Sequence, residues 1–176
     1  MSVSVRLTPR DMKNVKQAAE KIWKNHKNKN HDDKCIGDNS QSYNRLLQGL
    51  KGEKAFAKYY GLSMNTDILD GGDDYDFKIN IDGRGDFKVD VKTTDYSPDP
   101  TLVVRKCHID KADIYVLVRE ESPEDYLLLG FDIRENLKDR GTIPAFADSA
   151  DHENFYCEFE DLLGLPDKDK VSQVVE

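Results

Sequence analysis

Two kinds of apolar spacing divide this chain. Over residues 40–60, SQSYNRLLQGLKGEKAFAKYY, the side chains of Leu46, Leu50, Ala57 and Tyr60 fall on one face of a helix, with Glu53 in the same stripe. Gly61 supplies the stop. Gly49 and Gly52 weaken helix propensity, which predicts that this helix closely approaches a sheet. From Tyr75 the spacing becomes alternation. YDFKINI (75–81) and the run from Phe87 to Thr94 read as strands, and DGRGD (82–86) between them is a hairpin signal. In the second strand Val89, Val91 and Thr93 point one way, and Asp90, Lys92 and Thr94 point the other. TLVV (101–104), DIYVLVR (113–119) and DYLLLGF (125–131) are further strands, and IRENLKDRG (133–141) is a short helix. NFYCEFEDLLGL (154–165) reads as a strand and then a helical turn, and DKDKVSQVVE (167–176) as a frayed tail. At the front, Thr8 as N-cap and Pro9 at the first helical position open a helix to about Trp23, followed by an Asn- and Lys-rich loop. Helices, then a meander of strands, then a short mixed end make a single α/β (α+β) domain.

The hairpin gathers charge. Opposed residues in an antiparallel pair have a constant sum of positions and point to the same face. With a loop of Gly83 to Gly85, Asp76 sits opposite Lys92; with a loop of Ile81 to Gly85, it sits opposite Asp90. In either register Asp76, Asp90 and Lys92 share one face, and Tyr75, Phe77, Ile79 and Ile81 share the other with Val89 and Val91. Two carboxylates this close repel unless positive charge sits between them. Lys92 serves in part. A hard divalent cation such as Mg²⁺ serves better, since it takes one or two carboxylates plus water and phosphate oxygens. A metal beside a lysine suits phosphodiester hydrolysis, and Glu53 adds a third oxygen ligand, directly or through water.

Composition narrows the setting. At 176 residues the chain has the size of one domain. Its net charge of −8 argues against coating nucleic acid wholesale, but residues 1–34 hold nine Lys and Arg against four Asp and Glu. Within that basic segment Lys24, Lys27, Lys29 and Lys34, near Trp23, suit a DNA backbone or, equally, a solvated polar loop. No apolar run approaches the ~20 residues of a membrane span, and MSVSVRLTPRDMK lacks the apolar core of a signal peptide, so the expected setting is inside a cell, away from membrane. The three cysteines are widely spaced and make no disulfide framework. His26, His31 and Cys35, with His108, Cys107 or His152 as a distant fourth ligand, match no closed zinc pattern, and surface histidines are the preferred reading.

The helix acid Glu53 in GLKGEKAFAKYYGL, Asp76 in GGDDYDFKI and Asp90-Val91-Lys92 in VDVKTT together resemble the PD-(D/E)xK nuclease superfamily, over roughly residues 41–166. The resemblance implies a restriction-endonuclease-like core, a central mixed β-sheet flanked by helices; residues 1–40 lie outside it and read as a basic N-terminal helix and loop of the same domain. It implies a Mg²⁺-dependent deoxyribonuclease, with Mn²⁺ as a substitute. Asp76, Asp90 and the Val91 carbonyl would be metal ligands, Lys92 the catalytic lysine and Glu53 the accessory acid. Thr94 extends the strand to where substrate would lie. The chain departs from the family pattern in having no proline before the first acid and Asp in place of the commoner Glu. Asp73 and Asp74 compete with Asp76 for the ligand role, and Asp76 is preferred for its face parity. Two-strand cleavage by one small domain favours a homodimer. The rivals are a nucleic-acid-binding or assembly protein on the same fold that has lost cleavage, and an unrelated globular protein with a solvated acidic sheet face.

Overall fold

The capping signal at Thr8 is realised in the computed structural model of the chain, which describes residues 2–28, 39–64, 75–144 and 153–174. A strand not anticipated from the pattern comes first, β1 (Val3–Arg6), and then α1 (Pro9–Asn28), which runs past the expected end at Trp23. Thr8 Oγ1 accepts from the Asp11 N–H at 3.2 Å, and Asp11 Oδ2 accepts from the Thr8 N–H at 2.9 Å, a reciprocal cap. Next is α2 (Asn39–Tyr60), ended by Gly61 at φ 71°, with the Leu62 N–H donating back to the Ala57 carbonyl at 2.8 Å. The hairpin is β2 (Phe77–Ile81) and β3 (Gly85–Thr94). Phe77 pairs with Val89 and Ile81 with Gly85, so the longer-loop register is the one adopted.

β4 (Leu102–Arg105), a turn of 3₁₀ helix (Lys106–His108) and β5 (Ile114–Glu120) follow. After them come β6 (Asp125–Ile133), α3 (Arg134–Arg140), β7 (Thr142–Pro144) and β8 (Glu153–Cys157). The tail expected to fray instead makes a 3₁₀ turn (Lys168–Lys170) and an edge strand, β9 (Val171–Gln173), paired with β2. Val171 is buried, and its contact with the core offsets the entropy of ordering the end.

Six strands form a mixed sheet in the order β1-β6-β5-β3-β2-β9, with β3 and β5 parallel. β4, β8 and β7 form a second, antiparallel sheet. One face of the large sheet carries Phe77, Val89, Val91 and Val116 against Ala55, Phe56 and Tyr60 of α2, and α1 backs α2 through Val15, Ala19 and Ile22. The other face carries Tyr115, Leu117 and Leu129 against the small sheet and Leu137 of α3. Each of these large apolar side chains contributes about 1.5–3 kcal/mol on burial, so the two clusters hold the layers together. Tyr75 belongs to this second face, with Lys88 over its ring at 4.9 Å. It does not continue the Phe77 row as expected, because the chain bends at Asp76, just before β2 begins. No helix among the described residues is long and apolar enough to cross a membrane.

Candidate active site

The valines hold β3 in place. Because Val89 and Val91 are buried under α2, Asp90, Lys92 and Thr94 must face the second layer. Asp90 is buried there, and the Lys92 ammonium donates to both of its oxygens, at 2.6 and 2.7 Å. The Lys92 side chain is 34% exposed, so the pair sits at the edge of solvent.

Asp76 meets this strand through its middle residue. Its N–H donates to the Val89 carbonyl at 2.9 Å, extending the ladder one step beyond β2. Its Oδ2 accepts from the Val91 N–H at 2.7 Å, taking the place of a backbone acceptor. A strand residue's N–H and C=O point to the same side, so the Val91 carbonyl also faces the Asp76 end of the hairpin. Asp76, Val91, Asp90 and Lys92 are therefore brought together.

Glu53 lies in a different layer. The predicted close approach occurs at Gly52, where an added Cβ would stand 1.9 Å from Thr93 Oγ1; Gly49 faces open space. Glu53 follows, half-buried, on the helix that covers the valine face, while Asp90 and Lys92 occupy the opposite face. Thr93 Oγ1 is buried with no hydrogen-bond partner, a consequence of the glycine contact pressing on it.

Tyr115, not singled out from sequence, and His108, considered there only as a distant zinc ligand, join the acid–lysine face. Tyr115 is the register partner of Asp90 on β5. Its hydroxyl donates to the His108 carbonyl at 2.8 Å and accepts from the Ala112 N–H at 3.3 Å. Burial pushes this phenol up to about 12, and the Asp90 charge adds to the effect. His108 is held below its ordinary value by burial and by the cations Lys111, Lys92 and Arg105, with Asp90 opposing, so it is neutral at pH 7. No local pattern marks Tyr115, since the parallel register of β3 and β5 brings it to Asp90, and its hydroxyl ties the His108 turn to the same place.

Of the expected DNA contacts, Lys24 is exposed on α1. The Lys27 side chain, Lys29 and Lys34 lie outside the described residues, as do the side chain of His26, and Asp73, Asp74, His31 and Cys35. Thr94 lines a groove of about 650 Å³ between the end of β3 and the small sheet.

Among the described residues no group of three or more His, Cys, Asp or Glu is gathered tightly enough to hold a metal ion by itself. Asp90, held by Lys92, and Asp76, bonded to the Val91 N–H, lie on neighbouring residues of β3 and offer hard oxygens, and the Lys92 ammonium on both Asp90 oxygens marks a place where positive charge is drawn. Such a set suits Mg²⁺, which keeps several waters and needs few protein ligands. The chain matches no known family model, no curated protein and no solved structure.

Proposed function

We propose that this α/β protein is a divalent-metal-dependent nuclease that hydrolyses DNA phosphodiester bonds inside a cell, on a restriction-endonuclease-like core. One observation carries the reading: a lysine clasps the acid two residues before it on β3, while a second acid, just before the preceding hairpin strand, is bonded to the residue between them. In this reading Asp90, Asp76 and the Val91 carbonyl hold Mg²⁺, or Mn²⁺ in its place. When bound, the ion supplies Lewis acidity to the phosphate and its attacking water. Lys92 moves from Asp90 toward the phosphate, where its ammonium orients the water and offsets developing charge. Burial of Asp90 strengthens these interactions by excluding water. Glu53, on the helix that covers the other face, would reach the metal's shell only through water. Cutting two strands would call for a second copy of the chain.

The test is cleavage of linear, flapped and four-way DNA with Mg²⁺ or Mn²⁺, wild type beside Asp90→Asn. Metal-dependent cutting that falls by about a hundredfold or more in the variant supports the reading. Equal activity in the two proteins sinks it. The placement of Glu53 favours a second reading, a DNA-binding protein on this fold that does not cut. It predicts binding unchanged by Mg²⁺ and no cleavage of any substrate.

A further inference from the structure

The polar side of β3 changes character at its end. Around His108, close to Asp90, three cations (Lys111, Lys92 and Arg105) act against one acid. Two residues beyond Lys92, Thr94 opens into the 650 Å³ groove, and no described residue lining it is a lysine or arginine. Its walls hold two tyrosines and two carboxylates instead. Tyr96 is 64% exposed, and Thr94 Oγ1 accepts its N–H at 3.1 Å, which fixes the chain as it leaves the strand and presents the ring. Tyr156 stands opposite Val103 on the small sheet, giving the groove an apolar and aromatic wall. Asp99 and Glu158 are exposed at its margin, with Glu158 Oε2 accepting from Thr101 at 3.0 Å.

We propose that this groove receives an unpaired nucleobase of single-stranded DNA and favours bases that carry an exocyclic amino group. Phosphate is repelled by the two acids, whereas a base is an uncharged ring that stacks on tyrosine. Carboxylates accept from an exocyclic amine, as in the pairing of Asp or Glu with cytosine N4. Thymine offers no such donor, and a paired base has that edge engaged. The volume falls within the ~300–1,000 Å³ of small-ligand sites, enough for a nucleoside. Side chains two apart on one strand face are spaced by about 7 Å, so a phosphate at Lys92 leaves its neighbouring base at Thr94. That last step alone rests on the nuclease reading. The groove chemistry stands without it.

The test is fluorescence anisotropy of labelled oligo(dC), oligo(dA) and oligo(dT) with the full chain in EDTA at low salt, run beside cleavage in Mg²⁺. Oligo(dC) and oligo(dA) should bind more tightly than oligo(dT). Tyr96→Ala should weaken binding by about tenfold. Asp99→Asn combined with Glu158→Gln should erase the preference over oligo(dT). All three positions are exposed, and matching thermal melts establish that the variants fold. No single-strand binding by the wild type, equal affinity for the three strands, or binding indifferent to Tyr96→Ala each overturns the proposal. Base preference without cleavage keeps the groove and removes the nuclease. Cleavage without base preference does the reverse.

Discussion

Asp90 and Asp132 are buried in the same row of the sheet, one on each side of Tyr115, yet they are held in opposite ways. Asp132 has no exposed surface. Its Oδ1 accepts from the Ile133 N–H at 2.9 Å and from Asn136 at 2.8 Å, and its Oδ2 from Arg140 at 3.2 Å. Asn136 and Arg140 lie four and eight residues on, along one face of α3, and Arg140 continues to Asp161. The guanidinium is a rigid fork, and the arrangement braces α3 to the sheet. Asp90 is clasped by a flexible ammonium that reaches solvent. Burial is common to the two acids. The two counter-charges are almost equally exposed, 34% for Lys92 and 30% for Arg140, so what separates a brace from a site is how many groups hold the acid and its cation in place.

Replacing each acid should pull the two apart. Asp132→Ala leaves a gap at a fully buried position and takes the acceptor from the Ile133 N–H and Asn136, and should cost about 3 kcal/mol. For a chain of this size that lowers the melting temperature by roughly 10 °C. Asp90→Asn keeps the shape and leaves Lys92 able to turn to water, so stability should change by less than about 1 kcal/mol while DNA cleavage collapses. Thermal melts of the two variants side by side check this. If Asp90→Asn melts as early as Asp132→Ala, Asp90 is a brace too and the distinction fails.

The other face of β3 allows a smaller test. Gly52→Ala places a methyl 1.9 Å from Thr93 Oγ1 and 3.0 Å from Thr93 Cβ, so α2 must shift outward. Overpacking of this kind costs about 1–3 kcal/mol. Thr93→Ala alone removes a hydroxyl that has no partner and should be nearly neutral by denaturant melt. Combined with Gly52→Ala it should recover part of the loss. If Gly52→Ala cuts cleavage far more than stability, the helix also positions the acid–lysine face.

Local periodicity made much of this architecture legible. The stripe of α2, the hairpin with its alternating valines, and the strands that became β4, β5, β6 and β8 all followed from spacing within a few residues. The short strands β1, β7 and β9 did not, because so few residues carry little pattern and, for β1 and β9, the partners lie far along the chain. For the site, the shared face of Asp90 and Lys92 was legible from parity. Asp76 was legible as a neighbour, but its bond to the Val91 N–H depends on a bend that alternation does not register. Glu53 shows the limit most clearly. Its apolar stripe is the one that buries the valines, so the helix carrying it covers the face that Asp90 and Lys92 avoid. The row from Asp90 through Tyr115 to Asp132 needs the β3–β5 and β5–β6 registers, which no single segment encodes.

A third acid asks whether full burial is needed to make a brace. Asp11 is 16% exposed, on the first turn of α1, where its Oδ2 accepts from Thr8 and from Lys58 of α2 at 2.8 Å, and its Oδ1 lies 3.4 Å from Lys54. Burial pushes its carboxyl up, but the hydrogen bonds from Lys58 and Thr8 outweigh this and hold it well below the usual carboxylate range. A carboxylate with a lowered value in the folded state contributes stability that is full above its unfolded value, near ~3.9, and is lost as pH falls toward the folded one. Asp11→Asn should therefore cost about 1 kcal/mol at pH 7, through the cap and the two lysines. The gap from wild type should narrow as pH drops below about 4. Denaturant melts of the two proteins across that range measure it. A gap that stays constant with pH would mean the cap's geometry, and not its charge, joins α1 to α2, leaving Asp132 as the one acid of the three that braces by charge.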